Sequence, residues 1–280
     1  MNTAGLQQLG QVVTVVAGLR QRHDEYECPE HGKYIGTTIF LGGKVCSGPV
    51  CPKCLNIRLE REAREEAEAQ KAIKAQADAR RLEAALFRSR IPEAYQSKTF
   101  DNFRAVTDNQ AGALALAKRF VKGWERAEAS GYGLLFYGNC GTGKSHLACA
   151  ILKSLLPGVN GLYIRVGDLI RYIRSTWAKS SVLSDFEAIR QYVDIDLLVL
   201  DEVGVQAGTE NEQQLLFAVI DARLAENRPT IFLTNLEPCE LSRVLGERLV
   251  DRIREKCVPY KFAGKSQRRD LNAHVFGEAA

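Results

Sequence analysis

The 280-residue sequence predicts an α/β protein: a three-layer αβα core on a parallel sheet, preceded by a small zinc-binding module and a long charged helix. Three observations carry that expectation. Apolar runs at 134–138, 195–201 and 229–235 end in glycine, a carboxylate or a polar pair, as do strands buried on both faces whose C-terminal ends bear a site. Cysteine and histidine fall in two close pairs between residues 28 and 54. Residues 55–90 contain neither glycine nor proline and are dominated by Ala, Glu, Arg and Lys. The expected division is 1–54, 55–90 and 91–280.

Hydrophobic residues at 45% and charged residues at 26% place the chain among soluble globular proteins, with length for one α/β domain and a smaller appendage. A net charge of +4 permits contact with nucleic acid but excludes the strongly basic profile of a DNA-coating protein. The opening run GLQQLGQVVTVVAGL has no basic start and is too short and too polar to span a bilayer. A short helix or interaction segment is expected there, with no signal peptide, no membrane partner and a cytoplasmic location.

Of eight cysteines, four lie between residues 28 and 54. Cys28 and His31 form a CxxH pair, and Cys51 and Cys54 a CxxC pair. Two such knuckles supply the thiolate and imidazole ligands of a tetrahedral zinc, and four protein ligands leave no position open for catalysis. So short a segment builds little core, so metal binding is expected to supply its folding energy. Tyr34–Phe40 and Lys44–Val45 are expected to form a small hairpin, with Cys46 a spare outside both pairs. Cys140, Cys149, Cys239 and Cys257 read as isolated small residues in or near the core.

The run 55–90 should be helical, reaching roughly 50 Å at ~1.5 Å per residue. Leu55, Leu59, Ile73, Leu82 and Leu86 are scattered among charges without a heptad seam, so it reads as a solvated connector with a face for a partner. Its end is expected before Ile91-Pro92, because proline disfavours α geometry in the preceding residue.

The stretch LLFYGNCGTGKSHLA places a strand, a glycine-rich turn and a helix start in sequence. Gly138, Asn139, Cys140, Gly141, Thr142 and Gly143 can curl so that backbone N–H groups face phosphate oxygens. Lys144 then reaches the β and γ phosphates, Ser145 ligates magnesium, and His146 follows on the first helical turn. In IDLLVLDEVG, Asp201 would hold the magnesium and Glu202 orient the attacking water. In PTIFLTN, Asn235 would position that water beside the γ phosphate, or cap the next helix or turn. Between them, residues 165–194 contain Arg165, Arg171, Arg174, Trp177 and Lys179, whose spacing suits a single-stranded nucleic acid. The same segment also reads as an amphipathic surface helix with Leu169, Ile170 and Ile173 inward.

The chain resembles the DnaC/DnaI-type loaders of the replicative helicase, within a wider group of AAA+ ATPases that includes the IstB transposition proteins. RIPEAYQSKTFDNF, GNCGTGKSHLA, LLVLDEVGVQAGTENEQQLLFAVIDAR, PTIFLTNL and LGERLVDRIRE carry the resemblance, which spans 90 to about 270. It implies an ATP-hydrolysing switch that binds a hexameric replicative helicase and single-stranded DNA and self-associates through its ATPase domain. It further implies a first-sensor role for Asn235, an arginine finger at Arg252 with Arg248 as second choice, and a second-sensor arginine at Arg268. Residues 165–194 correspond to a helical insertion that lines a DNA channel, and the zinc module resembles the N-terminal helicase-binding module of some loaders. No C-terminal helix-turn-helix is expected. The alternatives are an IstB-like helper acting on duplex DNA and a zinc-dependent adaptor with a non-hydrolysing core.

Overall fold

The computed structural model describes residues 19–178, 180–205 and 209–267, and the chain divides into two compact units after Asp78. In the first unit, β1 (Leu19–Cys28), β2 (Gly32–Leu41) and β3 (Lys44–Ser47) form an antiparallel sheet in that order. The β2–β3 hairpin was expected, whereas β1 was not. Its run LRQRHDEYEC is too polar to read as a strand, and it is held by ten register pairs to β2, from Leu19 opposite Leu41 to Cys28 opposite Gly32. Leu19 apart, the opening segment lies outside the described residues.

The helix α1 (Pro52–Arg88) runs for 37 residues, and of these only Ala85 is buried. Its end meets the expectation for Ile91-Pro92: Arg90 turns into the left-handed region at φ 53°, and Pro92 leads into the short α2 (Glu93–Gln96).

The second unit is built on a five-stranded sheet of β4 (Gly133–Gly138), β5 (Gly161–Arg165), β6 (Leu197–Asp201), β7 (Thr230–Leu233) and β8 (Cys257–Phe262). The strands lie side by side in the order β5-β6-β7-β4-β8, and every pairing is parallel. From β4 the chain crosses to the far edge, returns through β6 and β7, and then passes over β4 to place β8. This reversal opens a crevice at the C-terminal ends of the strands.

Successive side chains of a strand point to opposite faces, so the apolar runs supply two cores. Leu134, Phe136, Val199 and Leu233 pack toward α3 (Asp108–Lys122), α4 (Trp124–Ser130) and α5 (Lys144–Leu155). Leu135, Leu198, Leu200 and Phe232 face the other layer: α6 (Val166–Ser175), α7 (Asp185–Val193), α8 (Glu210–Ala225), α9 (Pro238–Leu245) and α10 (Glu247–Lys256). Helices on both faces make the three-layer αβα core. The strands β5 and β8 lie outside the apolar runs read from the sequence, and Pro259 of β8 is tolerated because it lies on the sheet's edge.

Two buried polar groups fix this frame. Arg223 on α8 is fully buried and donates to the carbonyls of Tyr192, Val193, Ile195 and Pro229 and to Thr230 Oγ1, at 2.6–3.1 Å. Burial pushes its pKa down to about 9, which still leaves it charged at neutral pH. On α3, Thr107 Oγ1 accepts from the Gln110 N–H while the Gln110 side chain accepts from the Thr107 N–H, a reciprocal cap. The cysteines outside the N-terminal cluster divide unlike the expectation: Cys149 and Cys257 are buried, whereas Cys140 and Cys239 are exposed.

Candidate functional site

Beyond β4 the chain turns through Gly138 to Gly143 into α5. Gly138 sits at φ 111°, and a Cβ there would meet the Phe262 carbonyl oxygen at 2.4 Å, so only glycine lets the loop pass β8. Gly143 sits at φ 106°, where a Cβ would meet the Phe103 ring at 2.6 Å. Thr142 is buried and donates to the Asn139 carbonyl at 2.7 Å. The Asn139 amide donates to the Gly264 carbonyl at 3.0 Å. Lys144 folds back over the loop, its Nζ donating to the carbonyls of Gly138 and Asn139, both at 2.7 Å.

The loop borders an open cavity of about 320 Å³, lined from this side by Cys140, Gly141, Gly143, Lys144, Ser145 and His146. Asp201, Glu202 and Asn235, at the ends of β6 and β7, line the opposite side. Ser145 Oγ donates to Asp201 Oδ2 at 2.9 Å. Glu202 holds a left-handed backbone at φ 59°, and its carboxylate lies 3.8 Å from Arg165 Nε. His146 Nε2 donates to the Thr99 carbonyl at 2.8 Å and its ring meets Phe103 edge-on, with a pKa lowered chiefly by burial. That ring ties the segment following α2 to α5.

Sequence reasoning missed Tyr95, Lys98, Tyr163 and Gln267, which complete the lining together with Arg165, read from the sequence as part of the nucleic-acid segment. Tyr163 donates its phenol to Asp201. The only local signal for it is a single polar-tipped aromatic in an otherwise apolar strand, GLYIR. Arg268, which follows Gln267, lies outside the described residues, as does Lys179.

The remaining predicted residues stand away from this cavity. Arg252 pairs with Asp221 of α8, and the Arg248 guanidinium lies 6.0 Å from the centre of the Phe217 ring. On α6, Arg171 pairs with Asp168 and is mostly exposed. Arg174 reaches Glu212 at 3.3 Å and Asn211 at 3.1 Å, tying α6 to the start of α8. Trp177 is half exposed.

In the first unit, Cys28, His31, Cys51 and Cys54 bring four ligand atoms within 4.8 Å of one another. Cys28 Sγ is 3.6 Å from Cys54 Sγ, and His31 Nδ1 is 3.8 Å from Cys51 Sγ. Zinc–sulfur bonds of ~2.3 Å imply tetrahedral edges of about 3.8 Å, so the cluster has the size the metal requires. The backbone at Glu30 holds the Cys28 thiol down to about 6, while the hydrogen bond with Cys28 pushes Cys54 up to about 11. Crowded thiols cannot all ionise alone, and a divalent cation relieves that repulsion. Cys46 is exposed and its sulfur turns to the Lys44 carbonyl, outside the cluster.

A family model described as IstB-like ATP binding protein matches residues 69–274. The replicative helicase loader DnaC of Escherichia coli (strain K12) is 35% identical over 177 residues, which cover 63% of this chain and 71% of that protein. The chain belongs to the IstB/DnaC family of ATPases. DnaC of Buchnera aphidicola subsp. Acyrthosiphon pisum (strain APS) is 33% identical over the same shares. The crystal structure of the DnaC helicase loader superposes with a TM-score of 0.57 at 25% identity, covering 61% of this chain and all of that one. DnaI, at 24% identity and a TM-score of 0.53 over 63% of this chain and 94% of its own, shares the fold. As a member of this family, the chain is an AAA+ ATPase that binds ATP and hydrolyses it to ADP and phosphate. Among the described residues no helix is long and apolar enough to cross a membrane.

Proposed function

We propose that this ATPase loads a hexameric replicative helicase onto single-stranded DNA, with ATP hydrolysis as the switch. The observation that carries the reading is its 35% identity to a protein named as a replicative helicase loader, over 71% of that protein. The N-terminal metal module supports it as a separate docking element, and a cytoplasmic location goes with it. In this reading residues 1–54 and the connector 55–90 grip the helicase, and residues 91–280 bind nucleotide and DNA.

At the cavity, the loop N–H groups and Lys144 hold the β and γ phosphates. Ser145 and Asp201 are the ligands for magnesium. Their all-oxygen pair, 2.9 Å apart beside a phosphate loop, suits a hard cation. When bound, magnesium neutralises charge on the phosphate oxygens. Glu202 and Asn235 orient the attacking water, and Glu202 must first leave Arg165. Arg252, or Arg248 in its place, stabilises the transition state on the nucleotide of a neighbouring subunit, and to reach it Arg252 must exchange Asp221 for phosphate. Arg268 would act on the nucleotide of its own subunit. Arg171, Trp177 and Lys179 offer the strand-binding face, and Arg174 joins them only by giving up Glu212. Zinc at Cys28, His31, Cys51 and Cys54 holds the docking module together.

The test is the ATPase rate of the purified chain alone, with single-stranded DNA, with duplex DNA and with a hexameric replicative helicase, alongside co-elution with that helicase. Co-elution with stimulation by single strands is expected. The IstB-like family match favours a second reading, a transposition helper acting on duplex DNA. Duplex stimulation without helicase binding would establish that reading instead. Nucleotide binding without hydrolysis under every partner condition would leave a passive adaptor.

A further inference from the structure

We propose that Tyr163 is a positioning residue for the Asp201 carboxylate. It rests on the reading of Ser145 and Asp201 as the magnesium ligands. The strand β5 is the free edge of the sheet, and its pairing with β6 puts Tyr163 opposite Val199 and Arg165 opposite Asp201. Tyr163 therefore lies two residues short of the strand end, with a side chain long enough to reach the crevice. Its ring is 3% exposed, within the apolar cluster on the α5 side of the sheet. A phenol buried among apolar groups needs an acceptor, and here that acceptor is Asp201 Oδ2.

The same oxygen accepts from Ser145 Oγ at 2.9 Å, while Oδ1 accepts from the Glu202 N–H at 2.7 Å. Both carboxylate oxygens are thus fixed. With a divalent cation held by Ser145 and Asp201, the serine oxygen gives a lone pair to the ion while its single proton is still available to donate. Tyr163 is the second side-chain donor to that oxygen and, unlike a ligand of the ion, is held by its own burial, so it keeps Asp201 aimed at the ion. Its contribution is aim and not charge, because burial first and the Asp201 carboxylate second hold the phenol well above its ordinary range, and it stays neutral.

Tyr163 is itself seated by the segment that follows α1. Its N–H donates to the Ser89 carbonyl at 2.8 Å, closing part of the sheet edge, and its ring lies 6.3 Å from that of Tyr95, tilted by 45°. The loop and Lys144 hold phosphate without it. Loss of the phenol should therefore separate metal affinity from nucleotide affinity.

The experiment is a magnesium titration of fluorescent ATP-analogue binding to the full chain, as wild type, Tyr163→Phe and Asp201→Asn, with parallel binding in EDTA. Removing a hydrogen bond to a charged acceptor should raise the half-saturating magnesium concentration of Tyr163→Phe about tenfold, with affinity in EDTA unchanged. A wild-type midpoint in Tyr163→Phe beside an impaired Asp201→Asn overturns this inference alone. Wild-type binding indifferent to magnesium overturns the magnesium reading and this inference with it. Equal loss in EDTA makes Tyr163 a packing residue and also overturns it. Should Tyr163→Phe fail to fold, fluorotyrosine placed at Tyr163 keeps the donor and serves instead. Its fluorine resonance must move as magnesium is added to the nucleotide-bound chain, and a stationary resonance overturns the proposal.

Discussion

The two units of this chain are held together by different means. In the ATPase core the apolar runs Leu134–Phe136, Leu197–Leu200 and Ile231–Leu233 are at most 1% exposed, because parallel strands are covered by helices on both faces. The N-terminal unit leaves Ile35, Leu41, Val45 and Val50 exposed, and what it does bury includes Cys28, Cys51 and Thr38. One unit has an apolar core, and the other has a ligand cluster where a core would be. The difference teaches where each unit should break: the core through packing and buried polar anchors, the module through metal alone.

The largest effect should follow metal removal. Structural zinc contributes on the order of 10 kcal/mol to the folding of small modules. A chelator, or Cys51→Ser, should unfold the N-terminal sheet while the core keeps its melting transition. Circular dichroism with metal analysis would separate the two, and retention of one equivalent of metal by Cys51→Ser would make Cys46 a ligand. Next comes Arg223→Ala, which takes the guanidinium donor from four carbonyls and the Thr230 hydroxyl, of which the Pro229 carbonyl keeps the Leu198 N–H. Breaking a buried charged network costs about 3–5 kcal/mol, or roughly 10 °C in a unit of this size. Thermal melting should show that loss with metal content unchanged, and a shift below about 1 kcal/mol would mean that water replaces the guanidinium.

Arg223 also marks the limit of what the sequence discloses. Nothing distinguishes it locally from an arginine on a helix surface, because its partners come from the α7–β6 turn and the start of β7. The strands β4, β6 and β7 are legible as continuous apolar runs. The strand β8 is not, because Pro259 and Lys261 interrupt its pattern and only an edge position tolerates them. In the site, the loop and the ends of β6 and β7 are legible because glycine spacing and terminal polar residues are local signals. Tyr163 gives only the weak signal of a polar-tipped aromatic until the sheet order sets β5 beside β6, and Arg252 gives no hint of its pairing with Asp221. The four clustered residues Cys28, His31, Cys51 and Cys54 are legible in full as pairs, since each pair is a local spacing.

A functional substitution sharpens the same contrast. Lys144→Ala should lower ATP affinity by about a hundredfold, the scale of losing charge-assisted contacts to phosphate. The core should still fold, because Lys144 stands at the end of the loop beside the open cavity and belongs to neither apolar cluster. Fluorescent-nucleotide titration beside a melting curve checks both halves. Undiminished affinity would remove the phosphate-loop role.

The smallest effect is the most discriminating, because it compares two helix starts. Helix α3 opens on Thr107, whose hydroxyl and Gln110 side chain satisfy N–H groups that a helix start leaves unpaired. Helix α1 opens on Cys51, whose carbonyl accepts the first helical bond from Leu55, with Pro52 on the first turn where no N–H is needed. The residue at the start of α1 is therefore also a metal ligand in the proposed module, and its cap cannot be separated from the cluster. Thr107→Ala should cost only about 1 kcal/mol, a few degrees in the core transition, with metal content and the N-terminal signal unchanged. A fall of several kcal/mol, or any loss of metal, would mean that the two units do not melt independently, and the contrast between an apolar core and a metal-built one would fail at its simplest point.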